Sequence, residues 1–527
     1  MKCITRRDAL CAGIVLSSAA AARRVVGAPD RSGTEMRPAT ASARTVKVPF
    51  DLPGYREPTF PDRTFVIGEY GAKPGGEALN TKAIARAIAA CAKAGGGRVL
   101  VPAGVWLTGP VHLAGGVNLH LADGAELRFS TTYAHYLPVV YTQRGGARCY
   151  NYSPFVYARD CTNVAVTGPG KLNGQGRAWW PWKKRQPGMA RLFEMGAKRV
   201  PIERRVFGTE ADGVRPPFIQ TIDCRNVLLE GFTAVNGPSW NIHPVTCRNV
   251  TIRGVRVLGM GPNNDGIDPD SCRNVVIEDC FLDTGDDCIC LKAGRNEDGW
   301  DVGKPCENVV VRRCRGKRGH GGITLGSEMS AGIRNVFVHD CAFERPDRAV
   351  RIKSLPGRGG VIENVCIQDI EVGRTNCAVN ITLRYPRLGS DGKAMPTFRN
   401  LTIRNVTCRQ ASVAAEILGR GGGDFLRDVT LDHLAVASKT GLRAENVRGL
   451  VLSRLAISTK SSPVIQFRDV REATIDRATC PPNVDVFLRV DGASTRDIRV
   501  RNTLVAGATR LVSLGEGVDA DRVRALK

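Results

Sequence analysis

The chain has 527 residues, a formal net charge of +24, 58 glycines and an aromatic content of only 6%. At ordinary domain sizes that length would divide into several units, unless a repeat lets one unit grow by stacking. Past the first thirty residues no apolar run reaches the roughly 20 residues that span a bilayer, which excludes a bundle of membrane helices. No nucleic-acid motif accompanies the basicity, so charge alone does not name a partner.

In chain order, the first feature is Thr5-Arg6-Arg7-Asp8-Ala9-Leu10 followed by an apolar run to Ala22. It reads as a twin-arginine export signal over residues 1–28, with cleavage after Ala22 or Ala28. An ordinary secretory signal carrying two arginines is the alternative. Either predicts a periplasmic or secreted protein with no membrane attachment once the signal is removed. Residues 29–60 follow as a linker or N-terminal extension, and 61–527 as a single domain. Of 18 cysteines, Cys3 and Cys11 leave with the signal. Most others fall in one repeated context and read as small apolar stacking residues, with room for a disulfide or two. Cys288-x-Cys290 has no partner pair of zinc-site spacing, and no metal or cofactor is expected.

Residues 80–94 place Ile84, Ile88 and Cys91 on one helical face behind a polar cap at Asn80, and stop at Gly95-Gly96-Gly97. Such a helix suits the open end of a stack of strands. Strands at 98–101 and 117–121 are assigned to the first coil. Residues 176–216, with Trp179, Trp180 and Trp182 before Lys183-Lys184-Arg185, interrupt the later period and read as a long loop.

A phrase then recurs: Cys161-Thr162-Asn163-Val164, Cys224-Arg225-Asn226-Val227, Cys247-Arg248-Asn249-Val250 and Cys272-Arg273-Asn274-Val275. It continues from Cys306, Ile333, Ile362 and Phe398, with weaker copies near Arg427 and Arg448. From Asn226 onward the asparagines step by 23, 25, 34, 27, 29 and 36 residues. Short Val/Ile strands at that period argue for stacked coils. Asparagine tolerates the left-handed backbone of a sharp corner and can bond to its neighbour in the next coil. The reading is an all-β protein, a right-handed parallel β-helix with a short N-terminal capping helix.

Chemistry concentrates in the same region. Asn263-Asn264-Asp265, Asp286-Asp287, Gly319-His320-Gly321 and Arg351-Ile352-Lys353 follow one another at about a repeat length. Asp268, Asp270, Asp279 and Asp283 read as turn residues. Acids gathered on adjacent coils repel, and one takes up a proton, so such a cluster destabilises the fold unless it is used. Asp286 and Asp287 can share a cleft only if one leaves the regular pleat, and Gly285 makes a bend plausible. Arg351 and Lys353, at i and i+2, share one strand face.

In order and spacing these four motifs resemble those of glycoside hydrolase family 28, the polygalacturonases. The similarity reaches back through Val101-Pro102-Ala103-Gly104, Arg215-Pro216-Pro217 and Trp240 to Pro244. Asn264 departs from the Thr usual in the first motif. The resemblance implies hydrolysis of α-1,4-galacturonosyl linkages in polygalacturonate or pectin by inverting acid/base chemistry. It implies Asp286 as general acid, Asp265 and Asp287 as the pair that holds and deprotonates water, and His320 as a hydrogen-bond partner tuning the acid. Arg351 and Lys353 would grip a uronate carboxylate, with Asn263 and Tyr385 as further substrate contacts. The expected partner is an acidic plant polysaccharide or its oligosaccharides, met by a monomer. Gly326-Ser327-Glu328 and the interrupting loop lean the reading toward action at chain ends. A pectate lyase on the same solenoid, or a non-catalytic polysaccharide-binding solenoid, are the rival readings.

Overall fold

The computed structural model describes residues 47–386, 394–504, 507–515 and 518–526. The export-signal reading lies outside them. Short strands pair in parallel from Thr64–Val66 to Val523–Leu526, and 26 strands join one continuous sheet. Each recurring phrase becomes a strand stacked in register on the next: Val164, Val227, Val250, Val275 and Val309 form one such row. The fold is a right-handed parallel β-helix. Its core is a column of these Val, Ile and Leu side chains, shielded from water along nearly the whole length.

The asparagines form the corner the repeat called for. Asn163, Asn226, Asn249, Asn274, Asn308, Asn335, Asn364 and Asn400 all have φ between 51° and 59°. Each amide from Asn226 onward donates to the side-chain oxygen of the asparagine one coil back, at 2.8–3.2 Å. The corner, buried at Asn249, Asn274 and Asn308, thus satisfies its polar side chains internally. Residues 53–57 of the N-terminal extension lie along this corner. Pro53 and Gly54 accept from Asn274 and Asn249, and Glu57 pairs with Arg253.

Helix α1, Thr81–Lys93, covers the N-terminal end with Ala83, Ile84, Ala87, Ile88 and Cys91 buried. Asn80 does not cap it as expected. Its side chain instead bonds Lys73 N at 2.7 Å and the carbonyls of Lys73, Ala78 and Leu107, tying the helix to the coil beneath. The strands Gly97–Val101 and Val117–Leu121 pair with each other, so they belong to successive coils. Thr64–Val66, which the sequence did not reveal, stacks ahead of both.

Residues 176–216 are more ordered than a loop. They hold helix α2, Pro187–Ala197, between short 3-10 turns. Leu192 packs with Ala147, Cys149, Phe207 and Val214 in a small separate core. Arg205 makes a buried pair with Asp298 of helix α3, Asn296–Val302, at 2.6 Å. Trp179 and Trp182 pack inward against Tyr133, Tyr136, Tyr152 and Phe155.

Candidate active site

Register explains why residues 22 to 66 positions apart meet. Ile267, Ile289, Ile323 and Val350 stack in one column, which carries Lys353 two coils beyond Asp287. Between the strands Phe281–Thr284 and Ile289–Leu291 the chain bends, and Asp286 and Asp287 occupy the bend. Thr284 Oγ1 and His320 N both donate to the Asp286 carbonyl, at 2.9 and 3.0 Å, holding it off the regular pleat. A Cβ on Gly285 would meet the Gly261 carbonyl at 2.4 Å, so close backbone approach demands glycine there. A Cβ on Gly321 would meet Asp287 Oδ1 at 2.7 Å.

The structure brings Asp265, Asp286 and Asp287 together, one oxygen of each lying within 4.8 Å of the others. All three are buried. Their surroundings differ. Asp287 accepts from Lys353 Nζ at 2.6 Å and Arg351 Nη1 at 3.2 Å. Burial would raise its carboxyl, but Lys353 and then Arg351 outweigh that and hold it well below the usual range. Asp286 accepts from His320 Nδ1 at 3.0 Å, from the Asp287 backbone N–H at 3.0 Å and from Asn263 Nδ2 at 3.4 Å. Burial pushes Asp286 up too, yet the His320 bond leads a net lowering. The same bond raises the His320 imidazole. Asp265, in contrast, is pushed up to about 7 by burial and by the Asp286 charge.

The remaining sequence-predicted residues frame this cluster. Tyr385 lies beside both cations, its ring 5.1 Å from Lys353 Nζ and 5.4 Å from the Arg351 guanidinium. Asn263 also accepts from Arg215 Nη2 at 2.8 Å. Asn264, the departure in the first motif, is fully buried. Its side chain bonds Gly261 N and the Gly237 and Ser239 carbonyls, a structural role that needs an amide. His243 is sealed in the interior, bonded to Gln220 at 2.8 Å, whereas Trp240 reaches the cleft.

Sequence reasoning missed the residues under the acids. Lys292 is only 2% exposed. Its ammonium lies 3.6 Å from Asp265, 3.5 Å from Asp268 and 3.7 Å from Glu328, over the Trp240 ring at 4.3 Å. Burial opposes its charge, but Cys290 and these acids hold the ammonium well above its usual range. Asp268, read as a turn residue, is fully buried with its pKa raised by burial and by Asp265. The one signal in the sequence was placement: Asp268 is three residues past Asp265, and Lys292 five past Asp287.

The cleft holds a cavity of about 90 Å³, and the insert forms one of its walls through Lys183, Gln186, Met189 and Phe193. Among the described residues two triplets have the spacing to hold a cation, the Asp265-Asp286-Asp287 cluster itself and Asp265-Asp268-Cys290. In both, a lysine ammonium already sits against the carboxylates.

Comparison with known proteins finds likenesses over most of the chain. The model of the family described as "Glycosyl hydrolases family 28" matches residues 207–458. A Vitis vinifera protein named "Probable polygalacturonase" is 31% identical over 401 residues, 72% of this chain and 77% of that protein. An exo-poly-alpha-D-galacturonosidase of Dickeya chrysanthemi is 26% identical over 79% of this chain and 75% of its own length. Among solved structures, a hyperthermoactive exopolygalacturonase from Thermotoga maritima superposes with a TM-score of 0.70 at 36% identity, covering 80% of this chain and 93% of that one.

Proposed function

Since the chain belongs to glycoside hydrolase family 28, we propose that it hydrolyses α-1,4-galacturonosyl linkages of polygalacturonate or pectin, acting from chain ends. The observation that carries this reading is the cluster of three buried carboxylates, within 4.8 Å of one another, in a cleft walled by the insert. A wall across a groove favours a chain end over the middle of a polymer. The named exo-acting relatives support the same preference.

Glycoside hydrolysis needs one acid to protonate the leaving oxygen and a carboxylate to activate water. Asp286 is assigned the first role, being the most open of the three and the one bonded to His320. The His320 bond favours the charged form of Asp286, so the proton has to reach it as the reaction begins. His320, half exposed and raised by Asp286 itself, supplies a route: Nδ1–H to Asp286 Oδ1, and from Asp286 to the glycosidic oxygen. Asp265 and Asp287 then hold the water, Asp287 kept ionised by its cations. The proton on this set belongs to the group of acids and not to any one member. Carboxylates spanning a water in line usually stand roughly 6.5–9.5 Å apart. One oxygen of each acid here lies within 4.8 Å of the others, so inversion rests on the resemblance to the family and not on this spacing.

The proposal extends to an exported protein, which the Thr5–Ala28 pattern supports, and to a monomer working on plant cell walls. The experiment is product analysis on polygalacturonate, with and without chelator. Expected are reducing ends released one end-product at a time, no ultraviolet-absorbing unsaturated product, and the inverted anomer by proton NMR. Asp286→Asn should stay folded and lose about 10² to 10⁴ in turnover. Unsaturated, calcium-dependent products would make the protein a lyase, and no product at all a binding solenoid.

A further inference from the structure

A column of thiols runs beside the root of the insert. Cys161, Cys224, Cys247 and Cys272 each stand just before a strand and Cys306 opens one, and the following residues Thr162, Arg225, Arg248, Arg273 and Glu307 pair in register. Four of these thiols donate to the carbonyl two residues back. Cys161 bonds Arg159 at 3.2 Å, Cys224 bonds Ile222 and Cys247 bonds Val245 at 3.3 Å, and Cys272 bonds Asp270 at 3.5 Å. One orientation repeated at the strand spacing of about 4.8 Å stacks the sulfurs. That spacing also falls within the roughly 4.4–6.8 Å between Cα atoms that a disulfide bridges.

Cys161 differs from the rest. It is the member of the column that solvent reaches, the other four being buried. It also ends the column, since the coil before it has Ala114 at the matching place, four residues ahead of Asn118 as Cys161 is of its partner Ala165. The two coupled thiols shift in opposite directions: Cys161 is drawn down to about 7 beside Cys224, while Cys224 is pushed up and keeps its proton, which makes Cys161 the attacking thiolate.

We propose that Cys161 and Cys224 form a redox modification site, oxidised to a disulfide by exchange with a low-molecular-weight disulfide and stapling the two roots of the cleft-lining insert. The Cys161 thiolate attacks one sulfur of the donor, the donor S–S bond breaks, and one donor thiol leaves. The Cys224 thiol then attacks the Cys161 sulfur of the mixed disulfide, the bond to the donor sulfur breaks, and the Cys224 proton passes to the departing donor thiolate. Two electrons pass from the protein to the donor, and the two thiol protons end on the released thiols. A rotation of the open Cys161 side chain is the movement required. The bridge would enclose residues 176–216, including Lys183, Gln186, Met189 and Phe193 of the cleft wall.

The test uses the full chain, reduced, desalted and incubated folded with glutathione disulfide, then alkylated and digested. Peptides carrying Cys161 and Cys224 should be recovered joined, with two hydrogen masses lost, and Cys161→Ser should abolish the link while keeping hydrolytic activity. Cys224→Ser should instead trap glutathione on Cys161. In the oxidised wild type, a single protease cut within 176–216 should give fragments that separate only on reduction. A stable glutathione adduct on wild-type Cys161, a Cys224–Cys247 link, or unreacted thiols in the folded protein would each overturn the proposal.

Discussion

Lys353 illustrates how one contact changes an expectation. Placed on the strand face with Arg351, it reads in the sequence as a grip for a uronate, yet in the structure its ammonium lies 2.6 Å from Asp287. Both functions can be served, because the cation also lines the cleft. Removing it should therefore reduce kcat/KM about ten- to a hundredfold, the worth of one charge-assisted bond, on methyl-esterified as well as on free polygalacturonate. A loss confined to the acidic substrate would show that Asp287 does not depend on it. Asp265 offers a second prediction. Its native pKa near 7 exceeds the unfolded value of about 3.9. Between those limits the native state binds more protons, so this group's contribution to stability falls as pH rises from about 4 to 7. Asp287, shifted the other way, adds stability above its unfolded pKa that is lost as pH falls. Asp265→Asn should then raise the apparent melting temperature more at pH 7.5 than at pH 4.5, and equal gains at both would contradict the raised pKa. The acids, His320 and the two cations were legible because each sits in a short motif with turn residues around it. Lys292 and Asp268 were not, since a lysine ending a strand and an acid in a turn look solvated until the coils are stacked.

Among the elements, the insert is where sequence and structure diverge most. Its helix α2 was hidden by Gly188 and Gly196, residues that weaken helices. Both are set by close packing: a Cβ at 188 would meet the Asp212 carbonyl at 2.6 Å, and one at 196 the Asp298 carboxylate at 2.7 Å. Periodicity, by contrast, revealed α1, whose buried face recurs regularly from Ile84 to Cys91, and the Asn corners, which repeat without exception from Asn163 to Asn400. Because α2 has its own small core and does not share the main one, it can be loosened separately. Leu192→Ala should destabilise the insert by about 2–5 kcal/mol while leaving the main unfolding transition in place. Opening that wall should shift products from single end-units toward mixed oligomers. An unchanged product profile, with hydrogen exchange showing a loosened α2, would mean that the insert does not impose end-wise action.

At the scale of the whole molecule, charge and site have to be separated. The cleft itself is nearly balanced, with Arg144, Lys183, Lys292 and Lys353 facing Asp265, Asp286, Asp287 and Glu328. The formal +24 of the chain therefore acts on a polyanion mainly from outside the reacting groups, as a long-range field that speeds encounter. Such a field is screened over about 30 Å at 0.01 M salt and about 8 Å at 0.15 M, whereas buried pairs such as Lys353–Asp287 are screened far less. Raising salt across that range should lower kcat/KM on long polygalacturonate several-fold and leave kcat nearly constant. On a galacturonate dimer, which carries two charges, the fall should be much smaller. A kcat that drops in parallel on both substrates would place the salt sensitivity in the carboxylate cluster, and an insensitive kcat/KM on the polymer would mean that encounter does not limit the reaction.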